Sequence, residues 1–271
     1  KINIQVFVLA TVAYFVSYLF RAFCWYILLR RKVIFRDVIF TMGAGYLLNN
    51  IFPFRLGEIG RALLLDDPQG PSTLEVLATV LVERIFDVFL AAVFVLSMLP
   101  RIFGEGFDQS IFLIAFVLTL GGLILLFLAV RFRCHIITWL KRWGEKASFV
   151  RPWVEPKVIQ VLDGLTILND PKAFLLAFFS LAISWFIAFG ENYIVFQSLY
   201  TDPPFWWMIF VLGVGAFGAA LPSAPSGLGL FEGMMVAAFS LLGVESGIAF
   251  THAVVIHVLF FICANILGLI G

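Results

Sequence analysis

Long apolar runs separated by short polar connections make up most of this chain. Five of them are unbroken and near the length of about 20 residues that a helix needs to cross a bilayer. These predicted spans are Ile4–Leu29, Leu74–Leu99, Ile111–Val130, Ala173–Leu199 and Ile248–Ile270. The pattern therefore predicts an all-α, polytopic membrane helix bundle.

Two further apolar runs are interrupted. Val38–Leu65 is broken at Pro53–Gly57, and Phe205–Leu242 is broken by the sequence PSAPSGLG. Proline removes a backbone donor and ends a helix, and glycine permits the backbone conformations that a break needs. Each run is long enough for two half-helices. The predicted helix breaks are Pro53, Gly57, Pro222 and Pro225.

Basic residues predict how these elements are oriented. The loop after the first span and the segment Arg131–Lys172 are both rich in lysine and arginine, which places them in the cytoplasm. Both lie on that side only if Val38–Leu65 enters and leaves the membrane on one face. The same reasoning makes Phe205–Leu242 a re-entrant hairpin from the opposite face.

The resulting order is an inverted repeat, the layout of many transporters with a binding site at the bilayer midplane. We predict one domain, 1–271, with repeats at about 4–99 and 173–270, a linker span at 111–130 and a cytoplasmic segment at 131–172. The alternative is that one broken run is a kinked full span. The cytoplasmic segment is either an amphipathic interfacial helix or a solvated linker.

Composition supports a membrane protein and excludes several other classes. Of 271 residues, 62% are hydrophobic and 13% are charged, whereas soluble domains are about half apolar and a quarter charged. The net charge of +1 argues against a nucleic-acid partner. Three scattered cysteines give neither a disulfide framework nor a zinc motif, so no metal and no cofactor are expected.

Charged side chains inside the apolar runs are the strongest functional signal. Each would cost about 2.5–3.5 kcal/mol if it stood unpaired near the bilayer centre, so these residues must pair or line water. They are Arg21, Arg55, Glu58, Arg61, Glu83, Arg84, Asp87, Glu191 and Glu232. A half-helix that restarts after a break also exposes N–H groups that bind anions. We expect the two breaks to face each other and bind an anionic headgroup through Arg55, Glu58, Arg61, Gly227 and Gly229.

The remaining charges are predicted to gate the cavity or balance its charge. Glu83 and Asp87 share a helix face, and an arginine from the first break is their expected partner. Arg84 is expected to face another partner or the headgroups. Arg21 is a candidate for a structural pair with Glu191. Glu232 is either a site carboxylate partnered across the pseudo-symmetry axis or a first-turn acid stabilised by the helix dipole. His252 and His257, off-register for a shared helix face, are expected to pack or hydrogen-bond rather than bind metal.

Three segments together resemble the transmembrane-region family of lysylphosphatidylglycerol synthase, often called flippase-like proteins. The segments are NNIFPFRLGEIGRALLL, VERIFDVFL and LPSAPSGLGLFEG, and LFRAFCW is similar to a further family pattern. The resemblance implies a domain that moves a lipid, such as aminoacylated phosphatidylglycerol, between leaflets of a bacterial or archaeal cytoplasmic membrane. Ser226 departs from the pattern, which often has glycine there. These residues include no soluble aminoacyl-transferring domain, so a separate lipid-synthesising enzyme is an expected partner.

The leading hypothesis is a lipid flippase or scramblase, not an enzyme, that carries an anionic or aminoacylated phospholipid or a related lipid-linked headgroup. One alternative is a membrane enzyme acting on lipid-phosphate substrates, although the histidines are few and poorly placed for such chemistry. Another is a non-transporting assembly subunit, which predicts tight ion pairs without an open cavity. An oligomer is compatible with the sequence.

Overall fold

The structure is a computed structural model that describes residues 3–66, 70–104, 151–221 and 224–270, with isolated positions between 110 and 142. Throughout these ranges the regular elements are helical, so the all-α class is confirmed. The helices are α1 (Ile4–Leu28), α2 (Phe35–Ile51), α3 (Leu56–Leu64), α4 (Thr73–Phe103), α5 (Arg151–Gly164), α6 (Pro171–Gln197), α7 (Trp206–Ala220), α8 (Leu230–Leu241) and α9 (Ser246–Ile270).

Among the described helices, α1, α6 and α9 are long and apolar enough to cross a membrane. They match the predicted spans Ile4–Leu29, Ala173–Leu199 and Ile248–Ile270 to within a few residues. Helix α4 covers the predicted span Leu74–Leu99 and extends beyond it at both ends. The predicted linker span 111–130 and the first part of the segment 131–172 lie largely outside the described residues.

The first interrupted run forms two helices that double back on each other. Asn49 on α2 accepts a hydrogen bond from the Gly57 N–H at 2.8 Å, and Gly45, one turn earlier, lies against Arg61, one turn later. These contacts run in opposite directions along the chain, so α2 and α3 are antiparallel. Helix α3 has 9 residues and is about 14 Å long at 1.5 Å per residue, too short to cross a membrane.

The break itself lies at Phe52–Arg55 rather than at Gly57. Helix α2 ends at Ile51, and Phe54 and Arg55 adopt left-handed backbone conformations with φ of 60° and 56°. Gly57 instead lies in the first turn of α3, where a Cβ atom would collide with the backbone oxygen of Gly45. The prediction of Gly57 as a helix break is therefore wrong: its missing side chain permits close packing of the hairpin.

The second interrupted run has the same antiparallel shape. Gly215 and Gly218 on α7 lie against Met235 and Met234 on α8. Between the helices, Pro225 begins a 3₁₀ turn that ends at Gly227. The φ angles are positive at Ser226 and Gly227 inside this turn and at Gly229 after it. The predicted break at Pro222 lies outside the described residues.

Packing partners occur in matched pairs. Helix α1 packs along α6, helix α2 packs on α9, and α4 packs correspondingly on α7. The short helices α3 and α8 contact the long helices that follow them, α4 and α9. Small residues bring these backbones together, as where Gly43 of α2 meets Leu267 of α9.

The end of the predicted cytoplasmic segment is packed structure. A Cβ at Gly164, the last residue of α5, would touch the backbone oxygen of Glu75 on α4. Leu165, Ile167 and Leu168 of the following 3₁₀ turn are buried. Residues 164–169 are thus not a solvated linker.

Replacing Asp170 with alanine is expected to lower the free energy of unfolding by about 1 kcal/mol. The Asp170 side chain caps α6 by accepting hydrogen bonds from the Lys172 and Ala173 N–H groups, at 3.0 and 3.2 Å. Thermal unfolding in detergent measures the effect, and Asp170→Asn, which keeps an acceptor, serves as the control. Equal losses in both variants would contradict the capping role.

Candidate functional site

The two breaks line one cavity of about 320 Å³. Arg55 and Glu58 reach it from the first hairpin, and Leu221, Ser226 and Gly227 reach it from the second. Other predicted site residues on its wall are Arg21, Arg61, Arg84, Asp87 and Glu191. Aromatic and aliphatic side chains complete the wall, among them Tyr14, Tyr18, Tyr46, Phe217, Phe231 and Phe260. Residues far apart in the sequence therefore line one cavity that has both charged and apolar side chains on its wall.

Glu83 is the buried centre of the charge cluster beside this cavity. Its side chain is 0% exposed and does not line the cavity wall, but its carboxylate accepts a hydrogen bond from Arg61 at 2.7 Å. The Arg61 guanidinium lies 3.7 Å from the ring centroid of Trp25, a cation–π contact. The prediction that an arginine of the first hairpin meets Glu83 agrees with this geometry.

Asp87 is held by a different arginine from the one expected. Arg21 donates to both carboxylate oxygens of Asp87, at 2.7 and 2.9 Å, and lies 3.4 Å from Glu83. Trp185 on α6 adds a third hydrogen bond to Asp87 at 3.1 Å. The expected pair of Arg21 with Glu191 is therefore wrong, because α1 turns Arg21 towards α4.

Arg84 links the buried part of the cluster to its exposed part. Its guanidinium lies 2.9 Å from Glu83, 3.2 Å from Asp87 and 3.5 Å from Glu58. Although Arg84 and Glu83 are adjacent in sequence, the long arginine side chain reaches back to the same carboxylate. Arg84 therefore has carboxylate partners inside the cluster, in agreement with the expectation of another partner rather than the headgroups alone.

Arg55 joins the first break to the second. It pairs with Glu58 at 3.2 Å and donates to the backbone oxygen of Ala219, near the end of α7. Its side chain is 28% exposed, so part of the guanidinium stays accessible. Among the described residues, the linked cluster contains four arginines, Arg21, Arg55, Arg61 and Arg84, and three carboxylates, Glu58, Glu83 and Asp87. One positive charge is in excess.

Glu191 lies apart from that cluster. It is 5% exposed, sits on α6 at the cavity wall, and makes no ion pair with any residue in the described ranges. Asn192, next to it, accepts a hydrogen bond through Oδ1 from His252 Nε2 at 3.3 Å. Glu191 is thus a cavity carboxylate rather than the partner of Arg21.

Glu232 lies in the first turn of α8, as one of its two predicted roles requires, and it also contacts a histidine of α9. One carboxylate oxygen accepts from the Gly229 N–H at 2.8 Å, which caps α8, and the other lies 2.5 Å from Nδ1 of His257 on α9. The opposite ring nitrogen of His257 lies 2.7 Å from the Ser226 hydroxyl. A hydroxyl, an imidazole and a carboxylate are therefore connected in series beside the cavity.

Two N–H groups at the starts of the restarting helices are already hydrogen-bonded to side chains. Glu232 occupies the Gly229 N–H, and Asn49 occupies the Gly57 N–H. Gly229 does not line the cavity, so its prediction as a headgroup-binding residue is corrected. Arginines of the charge cluster supply positive charge on the wall of the same cavity. Glu83, Glu232, Pro53, Gly57 and Pro225 likewise lie off the cavity wall.

Sequence reasoning missed the link between Ser226 and His257. Both histidines were expected to hydrogen-bond, as they do, and they separate as the five-residue spacing predicts: His252 meets α6 and His257 meets α8. The signal that could have revealed the link was Ser226 itself. It is a hydroxyl residue in a break between proline and glycine, at a position where the family pattern often has glycine. In the described residues no group of three or more His, Cys, Asp or Glu side chains is arranged to hold a metal ion.

Comparison with known proteins places the chain in a family. A UPF0104 membrane protein of Methanothermobacter thermautotrophicus is 26% identical over 82% of this chain and 69% of its own length. Another, of Methanocaldococcus jannaschii, is 23% identical over 82% of this chain and 92% of its own length. No solved structure matches the chain. The family described as the lysylphosphatidylglycerol synthase TM region matches residues 1–268, so this integral membrane protein belongs to it.

Proposed function

We propose that this protein is a lipid flippase or scramblase that moves an anionic or aminoacylated phospholipid, or a related lipid-linked headgroup, between leaflets. One observation carries the proposal: both chain breaks line a single cavity whose wall combines charged side chains with apolar ones. Such a cavity suits a charged headgroup whose acyl chains stay in the hydrocarbon. The family's description, which names a phospholipid synthase, supports a lipid cargo.

The arginine cluster supports an anionic headgroup. Arginine binds phosphate through two parallel hydrogen bonds and remains charged in a membrane interior. The linked cluster has one positive charge in excess, and Arg55, the most exposed of its four arginines, lies where the two breaks meet. Glu58 and Glu191 on the same wall would receive a cationic group on the headgroup, such as an amine.

The matched packing of the two halves supports an inverted repeat with re-entrant hairpins, at about 4–99 and 173–270. If α1–α4 correspond to α6–α9, then exchanging the halves turns the α2–α9 contact into the α7–α4 contact, and both occur. Rocking of one repeat against the other around a shared site is the transport motion that such repeats allow. The cavity argues against a tightly sealed assembly subunit.

The proposed location of the protein is a cytoplasmic membrane. Archaeal relatives support a cytoplasmic membrane of an archaeon or bacterium, with the basic loops inside. A separate lipid-synthesising enzyme is a proposed partner, and an oligomer is compatible with the lipid-facing apolar helices.

Replacing Arg55 with glutamine is expected to slow lipid movement at least about tenfold, because one charged hydrogen-bond donor to the headgroup is worth about 1.5–3 kcal/mol. The measurement is equilibration of anionic and aminoacylated lipids in liposomes with leaflet-specific reporters. Arg36→Gln is the matched control, since Arg36 is 75% exposed and pairs only with Asp37 among described residues.

Two outcomes would contradict the proposal. The transport proposal would be wrong if lipids of several classes equilibrate between leaflets no faster in liposomes with the wild-type protein than in empty liposomes. Equal slowing in both arginine variants would remove the assignment of Arg55 to the headgroup.

A further inference from the structure

The second break contains a hydrogen-bonded series that the transport proposal does not use. Ser226 Oγ lies 2.7 Å from His257 Nε2, and His257 Nδ1 lies 2.5 Å from Glu232 Oε1. Glu232 and His257 are 8% and 6% exposed, while Ser226 is only partly buried and faces the cavity. The order of groups from cavity to interior is hydroxyl, imidazole, carboxylate.

The chemistry of the three groups sets the direction of the hydrogen bonds. An ionised carboxylate only accepts, so the His257 Nδ1–H donates to Glu232. In a neutral ring the opposite nitrogen, Nε2, then accepts, and the Ser226 hydroxyl must donate to it. Glu232 is itself fixed by the Gly229 N–H at 2.8 Å. The carboxylate therefore holds the one neutral tautomer in which the imidazole can remove a proton from Ser226.

Ser226 also occupies a conformation that serine seldom adopts. Its φ is 59° and its ψ is 0°, in a turn between Pro225 and Gly227. A left-handed backbone is unfavourable for a residue with a side chain, relative to the right-handed one. Glycine would avoid that cost, and strained hydroxyl residues on sharp turns are typical of activated nucleophiles.

We propose that Ser226, His257 and Glu232 form a nucleophile–base–carboxylate triad that cleaves a carboxylic ester of an anionic amphiphile bound in the cavity. This inference shares the cavity of the proposed transport function but does not require that lipids cross the membrane. The arrangement fulfils the geometric requirements of such triads, which recur on unrelated folds.

The reaction balances with water as the co-reactant. Ser226 Oγ attacks the ester carbonyl carbon while its proton passes to His257 Nε2. The bond from that carbon to the alcohol oxygen breaks, and the alcohol leaves with the proton from His257, so that the acyl group remains on Ser226. Water then loses a proton to His257 and attacks the acyl carbon, which releases the carboxylic acid and restores the serine hydroxyl.

The surroundings point to the substrate class. The Gly227 and Leu228 N–H groups are engaged by Ala224 and Pro225 oxygens, at 2.9 and 3.2 Å, so they are not free for a developing oxyanion. Arg55, held to Ala219 just before the break, is one of the arginines that line the same cavity. Apolar walls with an arginine favour an ester that carries both a hydrocarbon chain and a negative charge.

The test uses the full chain in detergent micelles with an alkyl fluorophosphonate, which bonds covalently to activated serines. Intact-mass and peptide analysis should show one adduct on Ser226 in the wild type and none in Ser226→Gly, a variant whose backbone is favoured at φ 59°. Glu232→Gln and His257→Gln should slow labelling at least about a hundredfold. Ser184→Ala is the matched control, because the Ser184 hydroxyl lies on the same cavity but pairs with Ser17 at 2.9 Å.

Absence of labelling in the folded wild type would overturn the triad, as would labelling that persists in Ser226→Gly or is unaffected in His257→Gln. Ser226→Cys guards against a folding artefact, since it should gain labelling by a thiol-directed reagent if the position is accessible and the protein folded. Because labelling needs no lipid movement, absence of labelling would contradict the triad proposal and leave the transport proposal unaffected. Failure of the liposome assay would sink transport alone.

Discussion

Replacement of Glu83 by alanine is expected to lower the free energy of unfolding by about 3–5 kcal/mol, the loss typical of removing one partner from a buried ion pair. Glu83 is 0% exposed, and Arg61, its closest partner, is 1% exposed. Without the carboxylate, the Arg61 guanidinium would stay inside the protein with its charge uncompensated. Arg84 and Arg21 lie 2.9 and 3.4 Å from the Glu83 carboxylate. Without that negative charge among them, both would repel Arg61 more strongly.

Chemical unfolding in mixed micelles, followed by tryptophan fluorescence, measures this loss. Asp37→Asn is the control, because Asp37 and Arg36 form an exposed pair at 3.4 Å. Exposed pairs contribute less than about 1 kcal/mol, so that variant should unfold close to the wild type. Similar losses for the two variants would mean that Glu83 is not the centre of the cluster.

Replacement of Gly57 by alanine is expected to cost about 3 kcal/mol or more, at the upper end for overpacking. The added Cβ would collide with the backbone oxygen of Gly45 and would lie 2.7 Å from Asn49 Oδ1. Backbone atoms cannot move aside as a flexible side chain does, so α2 and α3 must separate. Arg55 and Arg61 lie on either side of Gly57, and the cavity wall should be lost with the hairpin.

Gly190→Ala on α6 is the matched control for this substitution. A Cβ at Gly190 has no neighbouring atom within 4 Å. Alanine there should stabilise the helix by roughly 0.5–1 kcal/mol, because glycine loses more backbone entropy on folding. Thermal unfolding and lipid equilibration measured on both variants test the idea, and a Gly57→Ala protein as stable as wild type would refute it.

Stability and site geometry are closely joined in this fold. The same arginines that the transport proposal uses also neutralise Glu83 and Asp87. Arg55 differs, since it is partly exposed and its removal leaves Glu58 with Arg84 as a partner. Loss of transport without loss of stability is therefore expected at Arg55 and not at Arg61.

The sequence by itself determined where the helices lie and where two of them are broken. Apolar run length predicts the ends of α1, α6 and α9 to within two residues, because a bilayer requires about 20 apolar residues per span. Proline and glycine clusters predict both breaks. The cost of a charge in hydrocarbon predicts that residues such as Glu83 and Arg61 must find partners, and they do.

Only the tertiary structure decided which partners those are. Helical periodicity fixes the face on which a side chain lies, but it does not determine which other helix covers that face. Arg21 therefore meets Asp87 rather than Glu191, and Gly57 serves close packing rather than the break. Ser226 and His257 lie 31 residues apart, and their contact depends on a left-handed turn and on how α8 packs against α9. Neither is encoded in local spacing, so the series of groups beside the cavity becomes visible only once the chain is folded.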